Sequence, residues 1–549
     1  MINISVYGSH NGAYAVERDG EILIVLEIER FLNSKNMGLS QYKTPQSTTI
    51  LFLAEYIPKL LMKMYGITEF DTCYYQNTEC VMDGVSYDIA KYIPAKQYVS
   101  SQHHQSHAEG AFYQSPYQEA IIFSFDGGGN DGMFNVYTAT REGGVELQEC
   151  VLNPVFNYSH FRYNLGFAYM IFAHYLNDIR LEDLGNGNLV YPGKLMGLSS
   201  YGTVRNGWVP YFKQFYKNGP EGPDYVHLLN LLQAHINKDQ VRMKLPEIIF
   251  DVKNRFTGEV AYDIAATSQR AFEDCFFEIA TPYLKKYPDL PVCIAGGCGL
   301  NIVLNTKLVT EHNRQVFVGP NPSDCGLAVG MLLGPMRPAE PVDVTYSGLP
   351  LLDIDSVGQY LDPPSTSIFV ANLELTEFAK DLFEGKIIGV ARGRAEHGPR
   401  ALGNRSVLCN PSIENIKDIL NEKVKHREWY RPFGPVVRLE DVSKYFEWQG
   451  ESRWMSFCPK VREEWKTQLA AVTHVDGTAR VQTITREQNE FLYDLLTEFE
   501  KFSGVGVLLN TSFNVNGKTI ISSIHGAFDA FYNSAMDGLV IEDIYVRKQ

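Results

Sequence analysis

Two short apolar segments that each run into a cluster of glycines are the strongest constraint on how this chain folds. The segment 121–125 reads IIFSF and leads into three glycines, and the segment 293–295 leads into three more, after which a helix begins. Glycine lets the backbone turn tightly and approach a ligand, and free N–H groups at a helix start attract phosphate. We therefore predict an α/β fold with a nucleotide-binding turn. The candidate nucleotide-binding residues are Gly127, Gly128, Gly296, Gly297, Gly299 and Asn301.

A pair of histidines four residues apart suggests a metal site. On a helix, His103 and His107 share one face and could both direct a ring nitrogen at one ion. The pair alone is weak evidence, because histidines on one helix face often only contact solvent. Asp126 and Asp324 complete a set of ligands for one divalent ion. Nitrogen and carboxylate ligands suit Fe(II) or Mn(II) better than a structural Zn(II) site, which prefers thiolates, so we expect iron, with manganese and zinc as alternatives.

Composition narrows the class of protein. At 549 residues the chain is too long for one hydrophobic core, so two or three domains are expected. A net charge of -15 argues against sequence-independent binding to nucleic acid. The nine cysteines include no CxxC pair, which argues against a disulfide framework and a cysteine-based zinc site. The sequence shows no leader peptide and no apolar run of about 18 residues, so we expect a cytoplasmic protein without a membrane partner.

Basic residues concentrate in two motifs of the C-terminal half. Residues 393–411 read GRAEHGPRALGNRSVLCNP, and residues 423–437 read KVKHREWYRPFGPVV. Runs of charge are usually solvated faces, but the glycines, prolines and aromatic residues between these charges are not typical of an exposed helix. We therefore favour a pocket for a small anion, since guanidinium groups bind paired oxygens with two parallel hydrogen bonds. Its candidate residues are Arg400, Arg405, Lys425, Arg427 and Arg431.

A segment with six prolines, 334–366, separates the two halves of the chain. Prolines at this density interrupt regular structure, which is typical of a linker. We predict a first domain over 1–345, a linker over 346–366 and a second α/β domain over 367–549.

Several longer motifs carry a family resemblance that spans almost the whole chain. Besides the two basic motifs, they are HHQSHAEGAF (103–112), FDGGG (125–129), GKLMGLSSYG (193–202), AGGCGLN (295–301), PNPSDCGLAVG (320–330) and LLNTSFNVNGKTI (508–520). With these motifs the sequence resembles the O-carbamoyltransferases of antibiotic and nodulation-factor biosynthesis. The resemblance implies an actin-like ATPase fold for the first domain, similar to threonylcarbamoyl-tRNA transferases. For the second domain it implies an α/β fold of the YrdC-like type, which forms carbamoyl-type adenylates.

The resemblance also implies a two-step use of carbamoyl phosphate and ATP. The second domain would convert them to carbamoyl adenylate and pyrophosphate, with Mg²⁺ accompanying ATP, and the first would transfer the carbamoyl group to a hydroxyl. His10, in the turn after the first strand, would accept the hydroxyl proton, and the metal would polarise an oxygen as a Lewis acid. Lys194 would contact a phosphate, or would be an exposed turn lysine. Contacts to the nucleotide or the carbamoyl group would come from Asn510, Thr511, Ser512 and Asn514.

Several acceptors and several functions fit the sequence. The acceptor could be a sugar, a natural product or a nucleotide, including a hydroxymethylated pyrimidine in DNA. Threonylcarbamoyl-type modification of tRNA, an actin-fold kinase or ATPase, and a non-catalytic binding module are the alternative functions. The products separate them, because adenylate chemistry releases AMP and pyrophosphate, whereas a kinase releases ADP. The oligomeric state is open, with a dimer as one option.

Overall fold

In the computed structural model, the chain forms two compact units. Unit 1 consists of Met1–Glu21 and Gly38–Val342, and unit 2 consists of Ile22–Met37 and Asp343–Gln549. Unit 1 thus ends close to the predicted boundary at residue 345, whereas the sequence did not indicate that an N-terminal segment joins unit 2. The residues that the structure describes are 1–39, 48–76, 90–150, 164–179, 187–218, 256–361, 367–515 and 517–549.

The described residues form a mixed α/β structure, as predicted. The strands are β1 (Ile2–Tyr7), β2 (Ala13–Arg18), β3 (Glu21–Glu27), β4 (Phe70–Gln76), β5 (Ala95–Ser101), β6 (Glu119–Gly129), β7 (Gly132–Thr140), β8 (Gly144–Cys150), β9 (Val292–Ala295), β10 (Val316–Val318), β11 (Ile368–Asn372), β12 (Ile388–Ala391), β13 (Arg405–Cys409), β14 (Gly434–Arg438), β15 (Gln482–Ile484), β16 (Val507–Ser512), β17 (Gly538–Ile541) and β18 (Ile544–Lys548). The helices are α1 (Ile28–Leu32), α2 (Thr48–Tyr65), α3 (His103–Gln114), α4 (Leu165–His174), α5 (Tyr191–Ser199), α6 (Val209–Asn218), α7 (Gly258–Lys286), α8 (Ile302–Thr310), α9 (Leu327–Met336), α10 (Leu375–Phe383), α11 (Ile416–Ile419), α12 (Val442–Tyr445), α13 (Glu490–Ser503) and α14 (Ile524–Tyr532). Within this described part, no helix combines the length and the apolar character needed to cross a lipid bilayer.

The apolar segment before the first glycine cluster is the central strand of a sheet, whose order is β10-β9-β6-β7-β8. Its side chains Ile121, Ile122, Phe123 and Phe125 are fully buried. Residues that point to opposite faces of β6 are therefore all covered, as is usual for strands with layers on both sides. Because β6 is buried on both faces, it holds Asp126, near its C-terminal end, in a defined position.

The two sheets of unit 1 repeat one topology. In the first, β1 pairs antiparallel with β2 and parallel with β4, and β4 pairs parallel with β5. In the second, β6 pairs antiparallel with β7 and parallel with β9, and β9 pairs parallel with β10. Tyr7 and Gln76 end β1 and β4, at the edge where ligands bind in open α/β sheets. The repeat agrees with the actin-like fold that the resemblance implies.

Helices α3 and α9 pack closely through glycines. A Cβ atom at Gly330 would overlap the carbonyl oxygen of Ser106, and one at Gly110 would lie 3.4 Å from the Cα of Gly330. Only glycine allows two backbones to come this near. Ser106 and Gly110 share the face of α3 that carries the two histidines, because residues at i, i+3, i+4 and i+7 align. The packing therefore brings the segment before α9, with Asp324, beside those histidines.

Unit 2 is built on one mixed sheet with the strand order β11-β18-β17-β12-β13-β16-β14-β15. Helix α13 contributes Leu492, Leu495, Leu496 and Phe499 to its core, at the spacing of one helix face. Asn489 caps the helix, because its Oδ1 accepts a hydrogen bond from the Leu492 N–H at 2.9 Å. The YrdC-like fold that the resemblance implies for this part of the chain stays a prediction.

Part of the predicted linker 346–366 packs within unit 2. The Asp353 carboxylate accepts a hydrogen bond from the Ile524 N–H at 2.8 Å, at the start of α14. The ring of Tyr360 stacks on that of Phe528, with centroids 5.2 Å apart. These contacts attach the proline-rich segment to the C-terminal helix. The last part of the predicted linker, 362–366, lies outside the described residues.

Candidate metal centre and anion site

The four predicted metal ligands converge in unit 1, although three elements carry them. His103 and His107 lie on α3, Asp126 lies in β6, and Asp324 precedes α9. His107 Nε2 is 3.5 Å from Asp126 Oδ2 and 3.5 Å from Asp324 Oδ1. His103 Nε2 is 3.8 Å from Asp324 Oδ1. One ligand atom from each residue lies within 4.8 Å of the others, so the structure assembles the predicted set.

The geometry of this cluster fits a divalent metal. Two neighbouring ligand atoms that are each about 2.1 Å from one ion lie roughly 3–3.5 Å apart, close to the distances in the cluster. The Nε2 atom of His103 is buried and has no hydrogen-bond partner among the described residues, and His107 Nε2 faces the carboxylates of Asp126 and Asp324. Buried polar atoms in proteins are nearly always paired, so this arrangement fits the predicted role of both histidines as metal ligands. Imidazole together with carboxylate suits iron, manganese or zinc.

The two carboxylates of the cluster also favour a positive charge beside them. Burial lowers the pKa of His103 to about 4, and the positive charge of His107 acts in the same direction. Burial would lower the pKa of His107 as well, but hydrogen bonds and charges from Asp126 and Asp324 raise it to about 9. The charges of the two carboxylates therefore favour a proton on His107. A metal ion would supply the same balancing charge.

A third histidine of the same motif supports the site rather than joining it. His104 Nδ1 lies 2.8 Å from Ser124 Oγ, and its Nε2 lies 2.9 Å from the carbonyl oxygen of Gly132. Both ring nitrogens are thus engaged with the sheet. Asp131 also fixes the start of α3, since its carboxylate accepts hydrogen bonds from the N–H groups of His104 and Gln105, at 2.8 and 3.0 Å. These contacts determine where the helix presents its two ligands.

His10, the predicted base, lies next to this cluster. Its Nδ1 is 3.3 Å from Asp324 Oδ2, and its side chain is 44% exposed. The same Oδ2 accepts a hydrogen bond from the Tyr7 hydroxyl at 2.9 Å. Asp324 therefore presents one oxygen to the metal ligands and the other to His10 and Tyr7. Sequence reasoning missed Tyr7, because a tyrosine in an apolar strand usually belongs to the core.

The second glycine turn contacts the metal cluster through Asp126. The Gly297 N–H donates to Asp126 Oδ2 at 2.6 Å, and the Gly127 N–H donates to Oδ1 at 2.5 Å. Gly296 has a φ of +82°, and a Cβ there would overlap the carbonyl oxygen of Phe125. The structure thus brings the predicted nucleotide turn and the predicted metal site together. Of the remaining glycines, Gly128 has a φ of +151°, and Gly299 packs against Ile294 and Pro322.

Two other predicted nucleotide contacts have different surroundings. Asn301 caps α8, because its Oδ1 accepts a hydrogen bond from the Leu304 N–H at 3.0 Å, and its amide pairs with that of Gln269. These contacts favour a structural role for its side chain. Lys194 lies on α5, is only 4% exposed and has its Nζ 3.3 Å from the carbonyl oxygen of Ile179. It is therefore not the exposed turn lysine of the alternative prediction.

In unit 2, the N-terminal segment anchors the first basic motif. Glu27 Oε1 accepts hydrogen bonds from His397 Nδ1 at 3.0 Å and the Gly398 N–H at 2.6 Å. Its other oxygen lies 2.8 Å from Arg30 Nε, and Arg30 donates to the carbonyl oxygen of Glu396 at 2.6 Å. All of these groups are buried. The turn that leads to the predicted anion ligand Arg400 is thus held at its start.

Arg405, another predicted anion ligand, connects the start of the same motif to the residue before it. Its side chain is fully buried, and its guanidinium donates to the carbonyl oxygens of Arg392, Gly393 and Asn404, at 2.6, 2.9 and 2.9 Å. Carbonyl oxygens therefore occupy the N–H groups that would bind a phosphate. These contacts favour a role for Arg405 in shaping the loop, whereas the sequence predicted direct contact with the anion.

Four partly buried arginines and one buried lysine form a group of positive charges in unit 2, here called the cationic cluster. Burial and the charge of Arg431 lower the pKa of Arg400 to about 10, and both also lower the pKa of Arg427. Burial lowers the pKa of Arg480 well below its usual range, and the charges of these three arginines add to the effect. Like charges held close together are costly unless an anion joins them, so the cluster fits the anion pocket predicted from the sequence. Its members are Arg400, Lys425, Arg427, Arg431 and Arg480.

The sequence missed Arg480, because this arginine stands alone in the segment GTARVQTI, outside both basic motifs. A run of charge was the only signal available, and Arg480 is not part of one.

Lys425 joins the cationic cluster to the last predicted motif. Its Nζ donates to the carbonyl oxygens of Ser512 and Asn514, the latter at 3.1 Å, and to Asn514 Oδ1 at 3.0 Å. Burial lowers the pKa of Lys425, and Arg427 is the largest charge acting with it. Thr511 is nearly buried. Asn510 donates to the carbonyl oxygen of Ala401 and to Gln482 Oε1, so its amide is part of the core.

Comparisons with known proteins agree with this division of the chain. Residues 41–333 match the family model described as "Carbamoyltransferase N-terminus", and residues 379–548 match "Carbamoyltransferase C-terminus". Nodulation protein NolO of Bradyrhizobium diazoefficiens is 33% identical over 81% of this chain and 79% of its own length. Nodulation protein NolNO of Sinorhizobium fredii is 29% identical over 98% of this chain and 79% of its own length. Among solved structures, T. kodakarensis HypF aligns at 15% identity over 61% of this chain and 47% of that chain, with a TM-score of 0.32.

Proposed function

The chain belongs to the carbamoyltransferase family and is an enzyme of that class, and on this premise we propose that it is an ATP-dependent O-carbamoyltransferase. The observation that carries the proposal is the cationic cluster, in which burial and neighbouring positive charges lower the pKa values of Arg400, Lys425, Arg427 and Arg480. A site of this kind suits a small dianion, and carbamoyl phosphate is such a dianion. The metal cluster and the glycine turn supply a second site, in unit 1.

The first step belongs to the cationic cluster. Water and carbamoyl phosphate give carbamate and phosphate, and the carbamate oxygen then attacks the α-phosphorus of ATP while pyrophosphate leaves. Positive charges lower the activation free energy of these steps, because negative charge concentrates on the transferred oxygens in the transition state. Lys425 and the Ser512–Asn514 segment form one edge of the cluster, where the carbamoyl end would bind. The product is carbamoyl adenylate, and Mg²⁺ accompanies ATP.

The second step belongs to the metal cluster and His10. His10 accepts the proton of the acceptor hydroxyl, whose oxygen then attacks the carbamoyl carbon while AMP leaves. Asp324 Oδ2, 3.3 Å from His10 Nδ1, orients the ring and stabilises the imidazolium that forms. When held by His103, His107, Asp126 and Asp324, a divalent metal, for which iron is the first candidate, supplies Lewis-acid polarisation of an oxygen. The exposure of His10 leaves room for an acceptor.

The test is a product analysis with purified protein, ATP, Mg²⁺ and isotopically labelled carbamoyl phosphate. We expect pyrophosphate and AMP, and label on a hydroxyl of one acceptor class in a panel of sugars, natural products, nucleotides and DNA containing hydroxymethylpyrimidine. Formation of ADP instead would support a kinase or simple ATPase. If no acceptor gains label and no AMP forms, the proposed reaction is wrong.

A further inference from the structure

Gln76, which ends β4, lies against the metal cluster without being one of its ligands. Its side chain is 2% exposed, and its Nε2 is 3.0 Å from His103 Nδ1. The Oε1 atom of the same amide is buried and has no hydrogen-bond partner among the described residues, and His103 Nε2 is in the same state. Two buried polar atoms on one short path from Gln76 through the imidazole ring are therefore unsatisfied.

The imidazole ring connects these two atoms, because a neutral histidine carries a proton on only one of its nitrogens. When the Gln76 amide donates to Nδ1, the proton lies on Nε2, which is the atom that faces Asp324. A metal can bind Nε2 only when the proton lies on Nδ1 instead. Nδ1–H then needs an acceptor, and the Gln76 oxygen supplies one when the amide, whose nitrogen lies 3.0 Å from Nδ1, rotates by about 180°.

We propose that Gln76 is a positioning residue that sets the tautomer of His103. With a metal in the cluster, the Gln76 oxygen accepts a hydrogen bond from Nδ1–H of His103, so the proton lies on Nδ1. Gln76 Oε1 then has a partner, and His103 Nε2 is available as a ligand. Metal-bound histidines usually donate their other N–H to such an acceptor, which fixes the ring and raises its basicity. The inference rests on the metal set of the proposed function.

Substitutions at Gln76 in the full chain test the inference through metal affinity, with no substrate present. The probe is Co(II), whose binding is followed by visible absorption in competition with a chelator. Gln76→Leu removes the acceptor and should weaken binding about 10–100-fold. Gln76→Glu supplies an acceptor that needs no rotation and should bind Co(II) at least as tightly as the native protein. Gln114→Leu is the matched control, because Gln114 is a glutamine at the end of the helix that carries the histidines, and its amide donates to the carbonyl oxygen of Gly110 instead of a histidine.

A residue that only maintains the fold would lower the melting temperature in both variants and would not separate them in affinity. The inference is wrong if Gln76→Leu binds Co(II) like the native protein, or if Gln76→Glu binds as weakly as Gln76→Leu. The double variant His103→Ala/His107→Ala separates this failure from a failure of the metal set itself. If that variant still binds one Co(II) with native affinity, the ligand assignment has failed, independently of Gln76.

Discussion

Replacing Arg480 by methionine should raise the free energy of unfolding and weaken the binding of carbamoyl phosphate. Methionine keeps much of the apolar volume of the arginine stem and removes only the charge and the donors. In the protein without an anion, the partly buried Arg480 is repelled by the positive charges of Arg400, Arg427 and Arg431. Removing its charge relieves that repulsion, so the free energy of unfolding should rise. With carbamoyl phosphate bound, the same substitution removes an attraction.

The expected loss of affinity for carbamoyl phosphate follows from the hydrogen bond that the Arg480 guanidinium would donate to it. A hydrogen bond to a charged group contributes about 1.5–3 kcal/mol. Because about 1.4 kcal/mol corresponds to a factor of ten, the dissociation constant of carbamoyl phosphate should rise roughly 10–150-fold. Arg480 Nε has no partner among the described residues, so no existing hydrogen bond of that atom offsets the loss.

Calorimetric titration of carbamoyl phosphate and thermal unfolding without ligand measure the two effects. Arg486→Met is a suitable control, because Arg486 pairs on the surface with Glu490 and Asp494 and is half exposed. Exposed pairs contribute little, so this control should leave both quantities near their native values. If Arg480→Met lowers the unfolding temperature and leaves the affinity unchanged, Arg480 stabilises the fold and the anion site is misassigned.

Four other substitutions test separate parts of the structure. His103→Ala/His107→Ala should lose bound metal in elemental analysis while pyrophosphate formation continues, and native metal content would contradict the ligand set. His10→Ala should lower carbamoyl transfer about 10²–10⁴-fold with pyrophosphate formation intact, whereas equal loss of both half-reactions would point to a structural role. Gly330→Ala should cost about 1–3 kcal/mol of unfolding free energy, since its Cβ meets the Ser106 backbone; Gly358→Ala, with no atom within 4 Å, is the control. Burial would raise the pKa of Glu27, but Arg30 and His397 lower it to about 2. Its stabilisation, about 3 kcal/mol, is therefore present above the ordinary carboxyl pKa of 4.5 and is lost as the pH falls through about 2. Urea unfolding from pH 6 to pH 2 should show a smaller pH dependence in Glu27→Gln.

Sequence motifs indicated which segments form the two candidate sites, but not the role of each residue within those segments. The resemblance to carbamoyltransferases, which rests on those motifs, is confirmed by the two family models. Asn301 and Arg405 stand in the motifs as prominently as Asp126 and Arg400. In the structure, the Asn301 amide caps a helix, and the Arg405 guanidinium binds backbone carbonyls. A sequence motif contains residues that contact the ligand and residues that shape the loop around it. The motif alone does not tell the two kinds apart.

Residues that act from outside a motif depended on the folded chain. Arg480 joins the cationic cluster from an isolated position, and Gln76 reaches His103 from the end of another strand. Nothing in their local sequence separates them from ordinary surface or core residues. Their roles follow from contacts with segments that are far away in the sequence, and the residues around them do not reveal those contacts.

The sequence by itself determined the local geometry of the metal site. Four-residue spacing places His103 and His107 on one face of a helix, and a buried strand followed by glycines places Asp126 at the end of a sheet. The motif around Asp324 made it a candidate for the same set, but only the tertiary structure places its carboxylate 3.5 Å from His107. That distance depends on the contact between α3 and α9, where Gly330 lets the backbones meet. Periodicity is a property of neighbouring residues, whereas this contact joins segments about two hundred residues apart along the chain, and only packing brings them together.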